Sequence, residues 1–380
     1  VLVRVVVKAG TRCPAIQSNA GRRAMVRRVP VPAGMQPVCE AELPSGVTRA
    51  AVNGQELALP RTKADNIVVI GDTGCRIKGD RVQDCNDPAK WPLQRVSTRA
   101  AREKPDLVIH VGDYLYREDQ CPQDLRHLCG TGPSGDRWDT WAADFFTPAA
   151  KLLAAAPWAF SRGNHEDCAR SWKGWFYYLD PRPWSGGGCL EYSEPYQIAY
   201  GGLDLFMLDS ASSKGKRTDG EVARYAEQLK KIHGSDVWLV DHHPFWDLRP
   251  AGKGKAAEPA PGPLAAAWDR AEVSKVSLVV SGHTHMFELL TSAGHRAPQL
   301  IAGDGGTNLQ EADPTQVDGV VTKGVGVSGT SWREFGYTFM QRTKSGWDVE
   351  VKAPLTGTIA FCKIEREDAS CKAASARSSR

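Results

Sequence analysis

From about residue 65 the chain alternates short β-branched apolar runs with small polar clusters. The runs at 67–70, 107–111, 158–160, 203–208, 237–240 and 277–280 stop at Gly71-Asp72, Gly112-Asp113, Gly163-Asn164, Asp209-Ser210, Asp241-His242 and Gly282-His283. Apolar runs without alternation predict strands covered on both faces. Between them, residues 140–156 and 218–233 predict helices. The second opens with Thr218 and Glu221 at the spacing of a capping box, then repeats Val222, Tyr225, Ala226 and Leu229 at helical intervals. Strands alternating with helices predict an α/β architecture whose function sits at the carboxyl ends of the strands.

Residues 1–62 read differently, with strand-like pieces and a turn at Asn53-Gly54, and predict a small β-rich N-terminal extension. The main domain is expected over 63–365, with a surface loop of Gly, Pro, Ala and Lys at 249–263. Glycine recurs after residue 306 until Trp347, and alternation from there to Phe361 predicts closing strands. Residues 366–380 read as a flexible tail.

Composition narrows the setting. A net charge of +4 over 380 residues, without a long run of Lys and Arg, gives no reason to expect a nucleic-acid partner. No apolar stretch approaches the roughly 20 residues of a membrane span. Ten cysteines lie as neighbours along the chain: Cys13 and Cys39, Cys75 and Cys85, Cys121 and Cys129, Cys168 and Cys189, Cys362 and Cys371. No C-x-x-C pair occurs, which argues for disulfides over a structural zinc site. Disulfides imply an oxidising compartment, periplasmic or secreted. The chain starts at Val1 instead of Met, consistent with removal of an N-terminal segment.

Listed by strand end, the polar residues are Asp72, Asp113 with Tyr116, Asn164 with His165, His242 with His243, and His283 with His285. Carboxylate, amide and phenolate oxygens combined with imidazoles suit first-row metal ions, and a phenolate ligand favours Fe(III). Each cluster alone reads as a turn or a core histidine. Five of them at strand ends, using five of nine histidines, predict a two-metal site. Asp209-Ser210 reads as a turn, Trp172, Trp175 and Tyr177 as loop packing, and Arg117-Glu118 as a structural ion pair.

These blocks also carry a resemblance. Gly71-Asp72-Thr73-Gly74, Gly112-Asp113-Tyr114-Leu115-Tyr116, Gly163-Asn164-His165-Glu166, Asp241-His242-His243-Pro244 and Gly282-His283-Thr284-His285 resemble, in order, the five motifs of the calcineurin-like metallophosphoesterases. Tyr116 points to the purple acid phosphatase branch. The resemblance covers roughly residues 65–306, including Gly303-Asp-Gly-Gly306. It implies a four-layer αββα sandwich of two mixed sheets with two metal ions between them: Fe(III) on Asp72, Tyr116 and His285, and Zn, Fe or Mn(II) on Asn164, His242 and His283. Asp113 would bridge both ions.

One choice stays open at this level. A V-x-x-H pattern selects His243, whereas a ligand two residues before Pro244 selects His242, and strand neighbours point to opposite faces. The position two residues before Pro244 favours His242.

The resemblance further implies attack of a metal-bound hydroxide on a phosphate monoester, with His165 as general acid and Glu166 orienting it. The small-molecule phosphate ester would be contacted by His243 and by Arg249, with Lys253 an alternative. Many purple acid phosphatases place another histidine shortly after the fourth motif. Here stands Phe245-Trp-Asp-Leu-Arg-Pro250, which leaves the substrate preference open. A phosphodiesterase or nuclease of the same superfamily is the alternative, and a binding module without catalysis the least expected.

Overall fold

The computed structural model describes residues 1–213, 218–248, 262–292, 296–310, 316–322 and 324–374. Two mixed sheets form its centre. In spatial order the first holds Trp158–Phe160, Leu107–His110, Asn66–Ile70, Tyr337–Arg342, Trp347–Ala353, Gly357–Glu365 and Asp368–Ala373. The second holds Tyr196–Tyr200, Leu203–Met207, Val237–Val240, Val276–Ser281, Arg296–Ala302, Phe287–Ser292, Val325–Trp332 and Gln316–Thr322.

The six apolar runs sit in the parallel part of each sheet: Leu107–His110 pairs in parallel with both its neighbours, and Val237–Val240 with both of its own, while the closing strands expected from Trp347 pair antiparallel. Their uninterrupted apolar character has a simple cause. Ile67, Val69, Leu107 and Ile109 meet Leu205, Trp238, Val240 and Val280 in one core between the sheets. Val68, Ile70 and Val108 face outward onto the helix Leu93–Arg102, while Phe206, Leu239 and Val279 face the helices Asp219–Leu229 and Pro263–Ala271. The result is helix, sheet, sheet, helix, the expected four-layer sandwich. Burying each such Val, Ile or Leu is worth about 1.5–3 kcal/mol.

The capping residue read at Thr218 accepts at Oγ1 from the amide of Glu221 (3.2 Å) and starts the helix Asp219–Leu229. The helix expected over 140–156 is broken into Trp138–Trp141, a π-turn at Ala142–Phe146 and Ala150–Leu153. Pro148 lacks an amide proton and interrupts the ladder there. The π-turn carries Asp144, a buried carboxylate that accepts from the amides of Cys75, Tyr116 and Arg117, and so ties two motif loops together.

The N-terminal region is β-rich. Leu2–Val6, Val38–Glu42 and Val26–Arg27 form one small sheet, while Gly21–Ala24, Ala15–Ser18, Ala50–Val52 and Gln55–Glu56 form another. Asn53 and Gly54 make the turn with φ of 51° and 79°. The buried Arg28 guanidinium donates from this region to the carbonyls of Phe176 and Arg182.

The ten cysteines form five disulfides, each between chain neighbours: Cys13–Cys39, Cys75–Cys85, Cys121–Cys129, Cys168–Cys189 and Cys362–Cys371. The last joins residues placed opposite each other on adjacent strands. Residues 368–373, expected in the tail, are therefore the edge strand of the first sheet, because pairing with Gly357–Glu365 satisfies a backbone that composition alone marked as loose. Residues 375–380 lie outside the described residues. No helix among the described residues is long and apolar enough to cross a membrane.

Candidate metal centre

The polar clusters at the strand ends meet at one edge of the space between the sheets. Those after Asn66–Ile70, Leu107–His110 and Trp158–Phe160 belong to the first sheet, and those after Val237–Val240 and Val276–Ser281 to the second. Three residues of the clusters, Asp72, Asp113 and His283, have left-handed backbone, with φ of 54°, 61° and 67°. That conformation costs a residue with a Cβ about 1–3 kcal/mol and persists where surrounding contacts impose it. Close backbone approach also explains the motif glycines. A Cβ on Gly163 would stand 2.1 Å from the amide nitrogen and Oδ1 of Asp113, and one on Gly112 2.6 Å from the His242 ring.

Two groups of donors result, with Asp113 between them. On one side the Tyr116 hydroxyl donates to Asp113 Oδ2 (2.7 Å), stands 3.0 Å from Asp72 Oδ1 and 3.1 Å from His285 Nε2. On the other, His242 Nε2 lies 3.3 Å from the same Asp113 Oδ2 and 3.0 Å from the Asn164 carboxamide. One donor atom each of Asp113, His242 and His283 lie within 4.8 Å of one another. Oxygen and imidazole donors so close together, with Asp72, Asp113 and His242 buried, form a cradle that fits cations.

Backbone groups aim the imidazoles. His242 Nδ1 is 2.8 Å from the carbonyl of Val111 and His285 Nδ1 is 2.8 Å from that of Asn308, which turns each Nε2 toward the carboxylates. The Asp113 carboxylate in turn accepts at Oδ1 from the His165 amide (2.7 Å), and Asp72 Oδ2 from the His283 amide (2.9 Å).

The charges respond strongly to this crowding. Burial works against a charged His242, but the neighbouring Asp113 outweighs it and pushes the imidazole up to about 9. A cation competing for Nε2 would displace that proton. Burial opposes ionisation of Asp113, yet His242 and His165 hold its carboxyl well below the usual range. Burial, followed by the charges of Asp113 and Asp72, drives the Tyr116 phenol well above its ordinary value. Only strong positive charge at that spot would make it a phenolate.

Both members of the His242-His243 pair come near the site. The strand ends at Val240, so its alternation no longer governs the two rings. His242 reaches Asp113 and Asn164, while His243 Nδ1 lies 2.7 Å from the Ser210 carbonyl and its ring is 4.2 Å from that of His283. Asp209-Ser210 supports this turn. Ser210 Oγ accepts from both histidine amides, and Asp209 pairs with the buried Arg162 at 3.1 Å.

His165 is also brought to the centre: its ring packs on Tyr116 with centroids 3.8 Å apart, and Nε2 is 3.9 Å from Asp113 Oδ2. The carboxylate that faces it is not Glu166. Glu166 is turned away to accept from the amides of Asp113, Tyr114, Leu115 and Gly163, because four converging N–H groups are a stronger attraction for a buried carboxylate than one ring. Burial, then the charge of Asp113, pushes it up to about 8 despite these amides.

Glu118 takes that place, with Oε1 2.9 Å from His165 Nδ1. Although burial opposes it, contact with His165 and Lys78 holds Glu118 down to about 2. Glu118 does not pair with Arg117 as expected. Arg117 bonds Asp144 (2.7 Å) and Glu118 bonds Lys78 (2.7 Å). Nothing in spacing or composition marks Arg170, which lies against Asn164, or the contact of Glu118 with His165. Trp175 and Tyr177 are buried in loop packing, with Trp172 packed against the same cluster, as expected. Arg249 and Lys253 lie outside the described residues.

The model of the calcineurin-like phosphoesterases matches residues 66–287, more than half of the chain. The chain belongs to this family. No curated protein matches it at a significant level.

Among solved structures, a purple acid phosphatase from yellow lupin (Lupinus luteus) seeds superposes with a TM-score of 0.60 at 13% identity, covering 98% of this chain and 72% of its own. PhoD gives 0.57 at 10% identity, covering 99% and 90%. At such identities these likenesses concern the fold. The family match spans every strand end that carries a cluster, so the convergence of the clusters belongs to the part of this phosphoesterase that defines its family.

Proposed function

We propose that this phosphoesterase hydrolyses phosphate monoesters at a two-cation centre, and that it works in an oxidising compartment, periplasmic or extracellular. The observation that carries the reading is the position of Asp113 Oδ2, which lies between the Tyr116 hydroxyl at 2.7 Å and His242 Nε2 at 3.3 Å. A single oxygen facing two donor groups is suited to a bridge. Asp72, Tyr116 and His285 would hold one ion, Fe(III) by the phenolate argument. Asn164, His242 and His283 would hold the other, Zn, Fe or Mn(II). When bound, such a pair supplies a water of lowered pKa and positive charge for the phosphoryl oxygens.

The chain's own residues supply the rest. The departing alkoxide needs a proton, and His165 Nε2 faces the centre while Glu118 stands at Nδ1, an arrangement that keeps one nitrogen toward the substrate. Burial lowers the His165 pKa while Asp113 and Glu118 oppose it. Glu166 keeps the Asp113 loop in shape through its backbone amides. The five disulfides support the compartment assignment.

Metal analysis combined with a visible spectrum and a panel of monoester, diester and nucleic-acid substrates tests the proposal. Two ions per chain, a tyrosinate-to-iron band and monoester turnover are expected. A protein that binds no ion, or that cleaves nucleic acid in preference to monoesters, removes it.

A further inference from the structure

Arg170 lies in the loop after the third motif, between Asp167 at 3.3 Å and Glu118 at 3.8 Å, and keeps about a quarter of its side chain accessible. Its guanidinium also touches the Asn164 carboxamide, which is shared between two claimants. One end of the amide faces His283 Nδ1 at 2.7 Å and His242 Nε2 at 3.0 Å, and the other faces Arg170 Nη1 and Nη2 at 3.2 and 3.1 Å. If the oxygen turns outward it accepts from Arg170, and if it turns inward it faces the imidazoles. A cation held by His242 and His283 requires the oxygen inward. The amide NH2 then points at the guanidinium, donor against donor, and that spot needs an acceptor.

We infer that the acceptor is a phosphoryl oxygen of the substrate: Arg170 is a substrate-binding residue, freed from Asn164 when the Asn164 oxygen turns toward the metal centre. The inference rests on the proposed two-cation reading. A guanidinium presents two parallel N–H groups that match two oxygens of a phosphate, and a dianionic monoester offers one more unesterified oxygen than a diester. The flanking carboxylates of Asp167 and Glu118 hold the fork in place. They also restrain its charge, so the contact favours the dianion without trapping it.

The test uses the metal-loaded full chain with inorganic phosphate as the probe in calorimetry. Kinetics with p-nitrophenyl phosphate and bis-p-nitrophenyl phosphate run in parallel, and metal content is measured in every variant. Arg170→Met is expected to keep its metal and bind phosphate about 10- to 100-fold more weakly. Its KM for the monoester should rise more than that for the diester, with Arg170→Lys in between. Unchanged phosphate affinity in a metal-replete Arg170→Met overturns the assignment while leaving the phosphoesterase reading intact. Loss of metal in both variants also overturns it, since Arg170 would then act by positioning Asn164. A wild-type protein that carries metal but neither binds phosphate nor hydrolyses either ester overturns both.

Discussion

The two sheets bring chemically different halves to the centre. Among the candidate ligands, those at strand ends of the first sheet, Asp72, Asp113, Tyr116 and Asn164, offer oxygen, whereas those of the second, His242, His283 and His285, offer imidazole nitrogen. Asp113 touches both halves, through Tyr116 on its own sheet and His242 on the other. Neither sheet alone carries the full set of candidate ligands. The centre is a property of their stacking, and the apolar core between the sheets is what sets its geometry.

Removing the shared residue should have the largest effect. Asp113→Ala is expected to lose both ions and to lower kcat/KM by about 10³-fold or more, since a single electrostatic contributor is commonly worth about 10²–10³. Metal content and steady-state kinetics report it, and a variant that keeps both ions and most activity would deny Asp113 its bridging place.

Removing a donor from one half should be milder and selective. His242→Ala is expected to lose one ion of two, with activity down about 10²-fold. Tyr116→Phe is expected to keep both ions, to lose the visible band and to fall about 10-fold. Equal metal loss in both variants would erase the distinction between the halves.

Acid stability probes the first half from below. His110 is buried, with Nε2 3.1 Å from Thr73 Oγ1 and Nδ1 accepting from the Gly112 amide at 3.2 Å, so it supports the loops of Asp72 and Asp113 together. Burial, against the opposing charge of Asp113, keeps its pKa well below the ordinary 6.5. Below about 6.5 the unfolded chain therefore takes up a proton that the folded one refuses. Stability falls as pH falls through that value toward the folded pKa, by up to about 1.4 kcal/mol per pH unit. Denaturant midpoints of the metal-stripped protein between pH 7 and 5 should show the loss, and His110→Gln should flatten it. A slope unaltered by that substitution would assign the loss to other groups.

The smallest effect on catalysis is expected at the far edge of the first sheet. Replacing Cys362 and Cys371 by Ala should cost about 2–3 kcal/mol of stability with kcat unchanged. Thermal melts and kinetics on one preparation check both. A fall in kcat would mean that this edge reaches the centre after all.

The elements most legible in the sequence were those with a strong local cause. The runs at 67–70 and 237–240 are apolar at every position because sheet and helix cover both their faces, and Thr218 marks a helix start because its hydroxyl satisfies a free amide. The π-turn at Ala142–Phe146 was not legible. Its irregularity is maintained by contacts of Asp144 with two distant loops. Glu118 was read as the partner of its neighbour Arg117 because adjacency is visible in a sequence, whereas a contact with His165 across the centre is not.

By itself, then, the sequence determined which carboxylate, phenol, amide and imidazole side chains stand at which strand ends and which cysteines are near enough along the chain to pair. Tertiary structure alone decided that the two series of strand ends meet, that His243 accompanies His242 into the site and that Glu118, in place of Glu166, faces His165. The reason is one of range. Donor chemistry and strand periodicity are properties of a few consecutive residues, while a distance between two sheets, or a left-handed Asp72 held at φ of 54°, depends on packing forces summed over the whole core.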